Sequence, residues 1–345
     1  MNVLYRQERT RLAKRLHRGS PSTTDLAKQA AWDAGFDLVG CSPPTLLPHI
    51  EEALSQWLNN GYAGNMSYLT RDGAARANPL DRWPDLKTVM CLGLNYYSPR
   101  PAPPQGKRVG RVAAYAYGRD YHKVIEKRLK TLSGSLQTLL GADTVIKSYV
   151  DTGPILERAF AAQAGLGFIG KNTNLISQLF GSWIFLSTLL LNVKLEFDQP
   201  VKVSCGTCTK CLDACPTHAF PSPYTLDATQ CIAYHTIESK APVPVPLAQQ
   251  FGDWSFGCDI CQEVCPFTKF AQPTTVEEFR PPDSQGFESL DPSNPQSAIG
   301  NRQSKAGAWL DLDELARMNT NDEFRERYQG TPIIRGTLQG LKRFL

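Results

Sequence analysis

The sequence predicts an α+β fold in which a mixed α/β domain precedes a small cysteine-rich one. Three observations carry this. Short apolar runs suited to strands alternate with helical repeats over residues 23–200. Eight of the ten cysteines crowd between Cys205 and Cys265. Hydrophobic residues make up 41% of the 345 and charged residues 20%, a balance that buries a sizeable core and excludes wholesale disorder. At roughly 100–200 residues per domain the length suits two domains. Pro and Gly are frequent but not periodic, which excludes fibres. The net charge of +4 tolerates a polyanionic partner without demonstrating one.

Residues 1–22 read as a basic extension carrying Arg6, Arg9, Arg11, Lys14, Arg15 and Arg18. Glu8 and the missing apolar stretch argue against a transit or secretory peptide. The protein is therefore expected in the cytoplasm with its thiols reduced. Thr23 or Thr24 caps a helix through Ala34, which Gly35 ends. Asp37–Cys41 reads as a strand, Ile50–Asn60 as an amphipathic helix, and Val89–Leu94 and Val112–Tyr117 as strands. Tyr121–Leu140 is a long helix, with Ile125, Leu129, Leu132, Leu136 and Leu140 at core spacing. Thr144–Val150 is a strand leading to Asp151-Thr152-Gly153-Pro154, and a helix follows over Ile155–Ala164. Leu175–Val193 carries no charge, but its polar residues and Gly181-Ser182 suggest a buried β-hairpin, not a membrane span. Residues 201–272 form the cysteine-rich domain. Residues 273–345 pack back on the first domain, irregular to about Arg302 and helical from Leu310 to Arg327.

The cysteine spacing carries the chemistry. The first run is Cys205-x2-Cys208-x2-Cys211-x3-Cys215-Pro216 and the second Cys258-x2-Cys261-x3-Cys265-Pro266, with Cys231 between them. Thiolates at every third residue wrap three corners of an iron–sulfur cubane, and the Cys before Pro reaches the neighbouring cluster. This gives a ferredoxin-like domain with two [4Fe–4S] clusters. One is held by Cys205, Cys208, Cys211 and Cys265, the other by Cys215, Cys231, Cys258 and Cys261. Structural zinc and disulfides are the alternatives, but zinc usually takes two separated pairs. Gly165-x-Gly-x-x-Gly170 imitates a dinucleotide loop, yet it follows a helix, so it is rejected.

Several motifs together resemble the epoxyqueuosine reductase family. They are Gly35–Gly40, Met66-x-Tyr68-Leu69 with Arg76, Tyr117-Gly-Arg-Asp-Tyr-His122, Val150–Pro154, Gly170–Thr173, Phe180–Trp183, the cysteine runs and Cys231-Ile-x-Tyr-x-Thr-Ile-Glu238. The resemblance implies reduction of the epoxyqueuosine epoxide to the queuosine alkene at the tRNA wobble position. It also implies cobalamin, bound by the first domain, beside the two clusters. Asp151 would be the proton donor and a cofactor contact. Leu175, Leu186 and Ile232 would line the cobalamin site, and Arg76 would approach the corrin amides or the RNA. The implied partners are the tRNA anticodon stem-loop and an external flavodoxin- or ferredoxin-type electron donor, with the protein a monomer and no membrane involved. Two departures are expected: no C-terminal helical-repeat domain, and His235 where the family suggests an apolar residue. Burial beside the corrinoid is expected to raise the Asp151 pKa. On its residues alone, Asp151 also suits a helix N-cap. A reductive-dehalogenase-like reductase of a small molecule, a dicluster electron carrier and a tRNA-binding scaffold are the competing functions.

Overall fold

The computed structural model describes residues 21–71, 73–281, 307–343 and 345. Residues 1–20 of the basic extension, and most of the irregular stretch before Arg302, lie outside them. Ser22, and not Thr23 or Thr24, caps the first helix, α1 (Thr23–Asp33). Its hydroxyl accepts from Asp25 N at 3.1 Å while the Asp25 carboxylate accepts from Ser22 N at 3.2 Å, a reciprocal capping box.

The main sheet is antiparallel, ordered β1 (Leu38–Ser42), β2 (Thr88–Asn95), β7 (Ile184–Leu191), β4 (Ile146–Tyr149). Its central strands are apolar nearly throughout because both faces are covered. Met90, Leu92 and Leu94 join Phe185, Leu189 and Leu191 in one core, beneath α1 and α3 (Tyr121–Leu140). Val89, Cys91 and Leu190 face the other core, under α4 (Glu157–Gln163). In the chain, α2 (Pro48–Asn59) follows β1 and has no buried residue. Of the predicted stripe of α3, Ile125, Leu129, Leu132 and Leu136 are buried, each contributing about 1.5–3 kcal/mol, Val124 joins them, and Leu140 is only half-buried.

A second sheet orders β8 (Trp254–Phe256), β3 (Val109–Val112) and β9 (Trp309–Asp311). One strand comes from the first domain, one from the cysteine-rich segment and one from the C-terminal segment. β3 runs parallel to β8 and antiparallel to β9. The predicted strand Val112–Tyr117 thus stops at Val112, and Ala114–Ala116 turns as a 3₁₀ helix.

Leu175–Val193 is not one hairpin. Leu175–Ile176 (β6) pairs with Phe168–Ile169 (β5), whereas β7 enters the main sheet. Gly181 makes the tight turn between them at φ 62°. The predicted helix Leu310–Arg327 is likewise interrupted, as β9, α5 (Leu312–Arg317) and α6 (Asn321–Tyr328). Asp311 and Thr320 cap the two helices, so the helical period restarts. Among the described residues no helix is long and apolar enough to cross a membrane.

Candidate active site and cluster cradles

Asp151 lies just past the end of β4, in a left-handed conformation with φ 60°. A non-glycine residue there is strained unless its surroundings hold it. Both Glu157 carboxyl oxygens accept from Asp151 N at 3.2 Å. Arg76 is buried and donates from Nη1 to Gly153 O at 3.0 Å. Gly153 lies so close to the Tyr149 ring that a Cβ would stand 2.6 Å from it. Asp151 is no N-cap: α4 begins at Glu157 behind Leu156.

The Asp151 carboxylate takes two hydrogen-bond donors and faces a third polar group. Tyr121 OH donates to Oδ2 at 2.7 Å, Arg335 Nη1 stands 3.3 Å from the same oxygen, and His122 Nε2 stands 3.6 Å from it. Arg335 Nη2 also reaches Glu238 at 3.2 Å. The other His122 nitrogen, Nδ1, pairs with Asp120 Oδ1 at 2.8 Å. The Tyr121 ring stacks between Phe185, at 4.3 Å, and His122, at 4.1 Å, which fixes the hydroxyl.

The chain's own residues around Asp151 favour its ionised form. Burial would raise the Asp151 carboxyl, but the nearby His122, the hydrogen bond from Tyr121 and the charge of Arg335 outweigh it and hold the group well below the carboxylate range. Burial works against the His122 imidazolium, yet Asp120 and Asp151 push its pKa up to about 9. Burial and the Asp151 charge push Glu157 up to about 8. At neutral pH, Asp151 is therefore ionised and the mobile protons reside on His122 and Glu157. With His122 raised from 6.5, its stabilising contribution is complete below pH about 6.5 and is lost as pH rises through about 9. Urea unfolding of His122→Asn should show a flatter stability profile than the native chain across that window. Parallel profiles would refute the pairing.

The two cysteine runs fold alike. Short helices Lys210–Asp213 and Ile260–Glu263 carry Cys211 and Cys261, behind Thr209 and Asp259 at the cap positions. Cys205, Cys208, Cys211 and Cys265 line one cavity with Asn172, Ile176, Pro266 and Phe267. Cys231 interacts electrostatically with Cys215, Cys258 with both of them, and Cys261 with Cys231 and Cys258. Cys261 also feels Cys211, so the two groups of four adjoin. Burial raises the pKa of Cys211, Cys231, Cys258, Cys261 and Cys265. Metal loading must therefore displace protons. Amides already point at sulfur: Lys171 N lies 3.4 Å from Cys205 Sγ and Ala219 N lies 3.3 Å from Cys215 Sγ. No cysteine is in a disulfide. Gly257, at φ 68°, lets the second run pass Ala113, whose Cβ would stand 2.5 Å from an added one.

Leu175 and Leu186 share one apolar cluster with Tyr149 and Ile155, beside the Asp151 loop. Ile232 lies apart, packed with Ala113, Phe251 and Trp254. Its cluster includes Tyr115, which meets Tyr121 edge-on at 6.2 Å. Arg76 is a buried strut and not a surface cation. His235 is buried, with Nε2 2.7 Å from Thr229 O. Tyr121 and His122 sit in a motif the sequence offered without a role. Arg335 and Glu238 gave no local signal, since Arg335 reaches Asp151 across 184 residues of chain.

A paired cradle for iron–sulfur cubanes, joined to a site of managed protons, defines an iron–sulfur oxidoreductase. Residues 204–268 match the family model for a 4Fe-4S double cluster binding domain, and residues 76–152 match that for epoxyqueuosine reductase QueG. An epoxyqueuosine reductase of Cellulophaga algicola is 36% identical over 93% of this chain and 96% of its own. One of Synechocystis is 43% identical over 70% and 84%. A crystal structure of epoxyqueuosine reductase with an epoxyqueuosine-modified tRNA-Tyr stem loop has a TM-score of 0.75 at 28% identity, covering 94% of this chain and 82% of the other. The chain belongs to the epoxyqueuosine reductase family. Its reaction is the reduction of epoxyqueuosine to queuosine, and residues 204–268 are its domain for two [4Fe–4S] clusters.

Proposed function

We propose that the chain acts on epoxyqueuosine within a tRNA anticodon stem-loop and that Asp151 is the group through which the proton reaches the leaving oxygen. The single observation carrying this is the Asp120–His122–Asp151 row, closed by Tyr121 and Arg335. An epoxide becomes an alkene and water by taking up two electrons and two protons. Oxygen departs with growing negative charge, so a positioned proton source lowers the barrier. His122 holds that proton and Asp151 relays it, while Tyr121 keeps the carboxylate aimed.

Cobalamin fits beside this loop. Arg76 Nε is buried without a hydrogen-bond partner, and Leu175 and Leu186 supply an apolar wall. Bound there, cobalamin would supply a low-valent cobalt reductant for the epoxide carbon.

One cluster is held by Cys205, Cys208, Cys211 and Cys265, and the other by Cys215, Cys231, Cys258 and Cys261. The first is the outer one: its loop exposes Gly206, Thr207 and Thr209, with Lys202 and Lys210 exposed alongside. Lys171 Nζ bonds Gly206 O there at 2.8 Å. The second has buried neighbours in Ile232, Gly257 and Asp259, and its Cys231 leads into the turn carrying Glu238, the Arg335 partner. Electrons thus enter over the lysines from an acidic carrier of the flavodoxin or ferredoxin type and leave toward Asp151.

The test is anaerobic purification with added cobalamin, followed by mass spectrometry of nucleosides from an epoxyqueuosine-bearing stem-loop. Queuosine should form only with cobalt bound. Turnover driven by an acidic carrier should fall with rising salt, while turnover driven by dithionite should not. An untouched epoxide in a fully loaded enzyme would overturn the reading.

A further inference from the structure

Arg100 rises from the proline-rich loop after β2 and ends in a cage. Its guanidinium carbon stands 4.9 Å from the Trp254 ring, 5.6 Å from Trp309 and 5.7 Å from Tyr117. Nη1 donates to Val112 O at 2.8 Å and Ala308 O at 3.3 Å. Nη2 lies 3.5 Å from Asp259 Oδ2 and 3.4 Å from Glu263 Oε1. The cage is built from all three strands of the second sheet and their flanks, so the cation's place is fixed by the fold. A guanidinium keeps its charge in such surroundings, and its flat face suits the rings.

Asp259 sits between Cys258 and Cys261 and is only 1% exposed. It occupies the cap position of the short helix that carries Cys261, yet its side chain makes no bond to that helix. It turns outward instead, accepting from Ala114 N at 2.7 Å and facing Arg100. The first run differs: Thr209, at the matching position, bonds Asp213 within its own exposed helix. Only the inner loop is tied to a distant, caged cation.

We propose that Arg100 is a positioning residue for electron transfer, holding Asp259 and with it the Cys258–Cys261 loop, and setting the reduction potential of the cluster bound there. The inference rests on the reading of these cysteines as ligands of the inner cluster. An uncompensated carboxylate between two ligands opposes an incoming electron; Arg100 cancels that opposition. Removing the cation therefore lowers the inner potential. Removing the carboxylate while leaving the cation raises it. The outer cluster, ligated through Thr209's run, should not respond.

The experiment is a redox titration, followed by electron paramagnetic resonance, of the reconstituted full chain at fixed pH in native, Arg100→Gln, Arg100→Lys and Asp259→Asn forms. Arg100→Gln should make reduction of one cluster at least about tenfold less favourable, or 59 mV for one electron. Asp259→Asn should move the same cluster the opposite way, and Arg100→Lys should fall between native and Gln. Asp259→Asn keeps an oxygen for Ala114 N and carries the test should Arg100→Gln fail to fold. Iron is counted first: a native chain with only one cluster sinks the ligand reading itself. With two clusters present, unchanged potentials, or equal shifts in both, overturn the role of Arg100.

Discussion

Asp151→Asn should leave a folded protein with both clusters and intact RNA binding that converts epoxyqueuosine about 10²–10⁴ times more slowly, the usual yield of a positioned proton donor. The asparagine keeps the size and the bond from Tyr121 but carries no proton onward from His122. The residual rate should lose its dependence on the ionisation of His122. In the native enzyme, activity should fall as pH rises through about 9, where the His122 proton is lost. A variant with native turnover, measured by nucleoside mass spectrometry, would remove Asp151 from the reaction.

The crossing of the two cysteine runs makes an even larger effect measurable. Cys215 belongs by sequence to the first run but lies near enough to Cys231 and Cys258 of the second group to raise their pKa. Cys265 belongs to the second run but shares the cavity of Cys205, Cys208 and Cys211. Cys215→Ala should therefore strip the inner cluster and leave the outer one, halving iron from about eight to about four atoms per chain. Cys265→Ala should do the reverse. Turnover should vanish in both, since each breaks the electron path. Should Cys215→Ala instead lose the outer cluster's resonance, the pairing would be uncrossed and the assignment wrong.

Local patterns made the frame of this molecule readable. The spacing of apolar residues in α3 and the runs of β2 and β7 state their own periods, and the cysteines state their cofactor by interval. The failures came where partners are distant. Val112–Tyr117 has strand composition throughout, but the pairing with β8 and β9 falls on Val109–Val112, and the chain then turns. Leu175–Val193 offers two apolar arms around a turn, yet they join different sheets because β2 and β4 compete for the second arm. Asp151 stood out in its motif, but the groups that favour its ionised form come from elsewhere in the fold. Arg335 arrives from the C-terminal segment, and nothing near Asp151 announces it. His122 lies one residue from a named tyrosine, but its role follows from facing two carboxylates at once. The site was legible as a list of motifs; its electrostatics required the tertiary fold.

Strand β8 ends two residues before Cys258, and it is clamped against β3 and, through β3, against β9. Cys258 therefore hangs directly from a strand that the first domain and the C-terminal segment hold in place, so a ligand of the cysteine-rich domain is anchored by parts of the chain far from it in sequence.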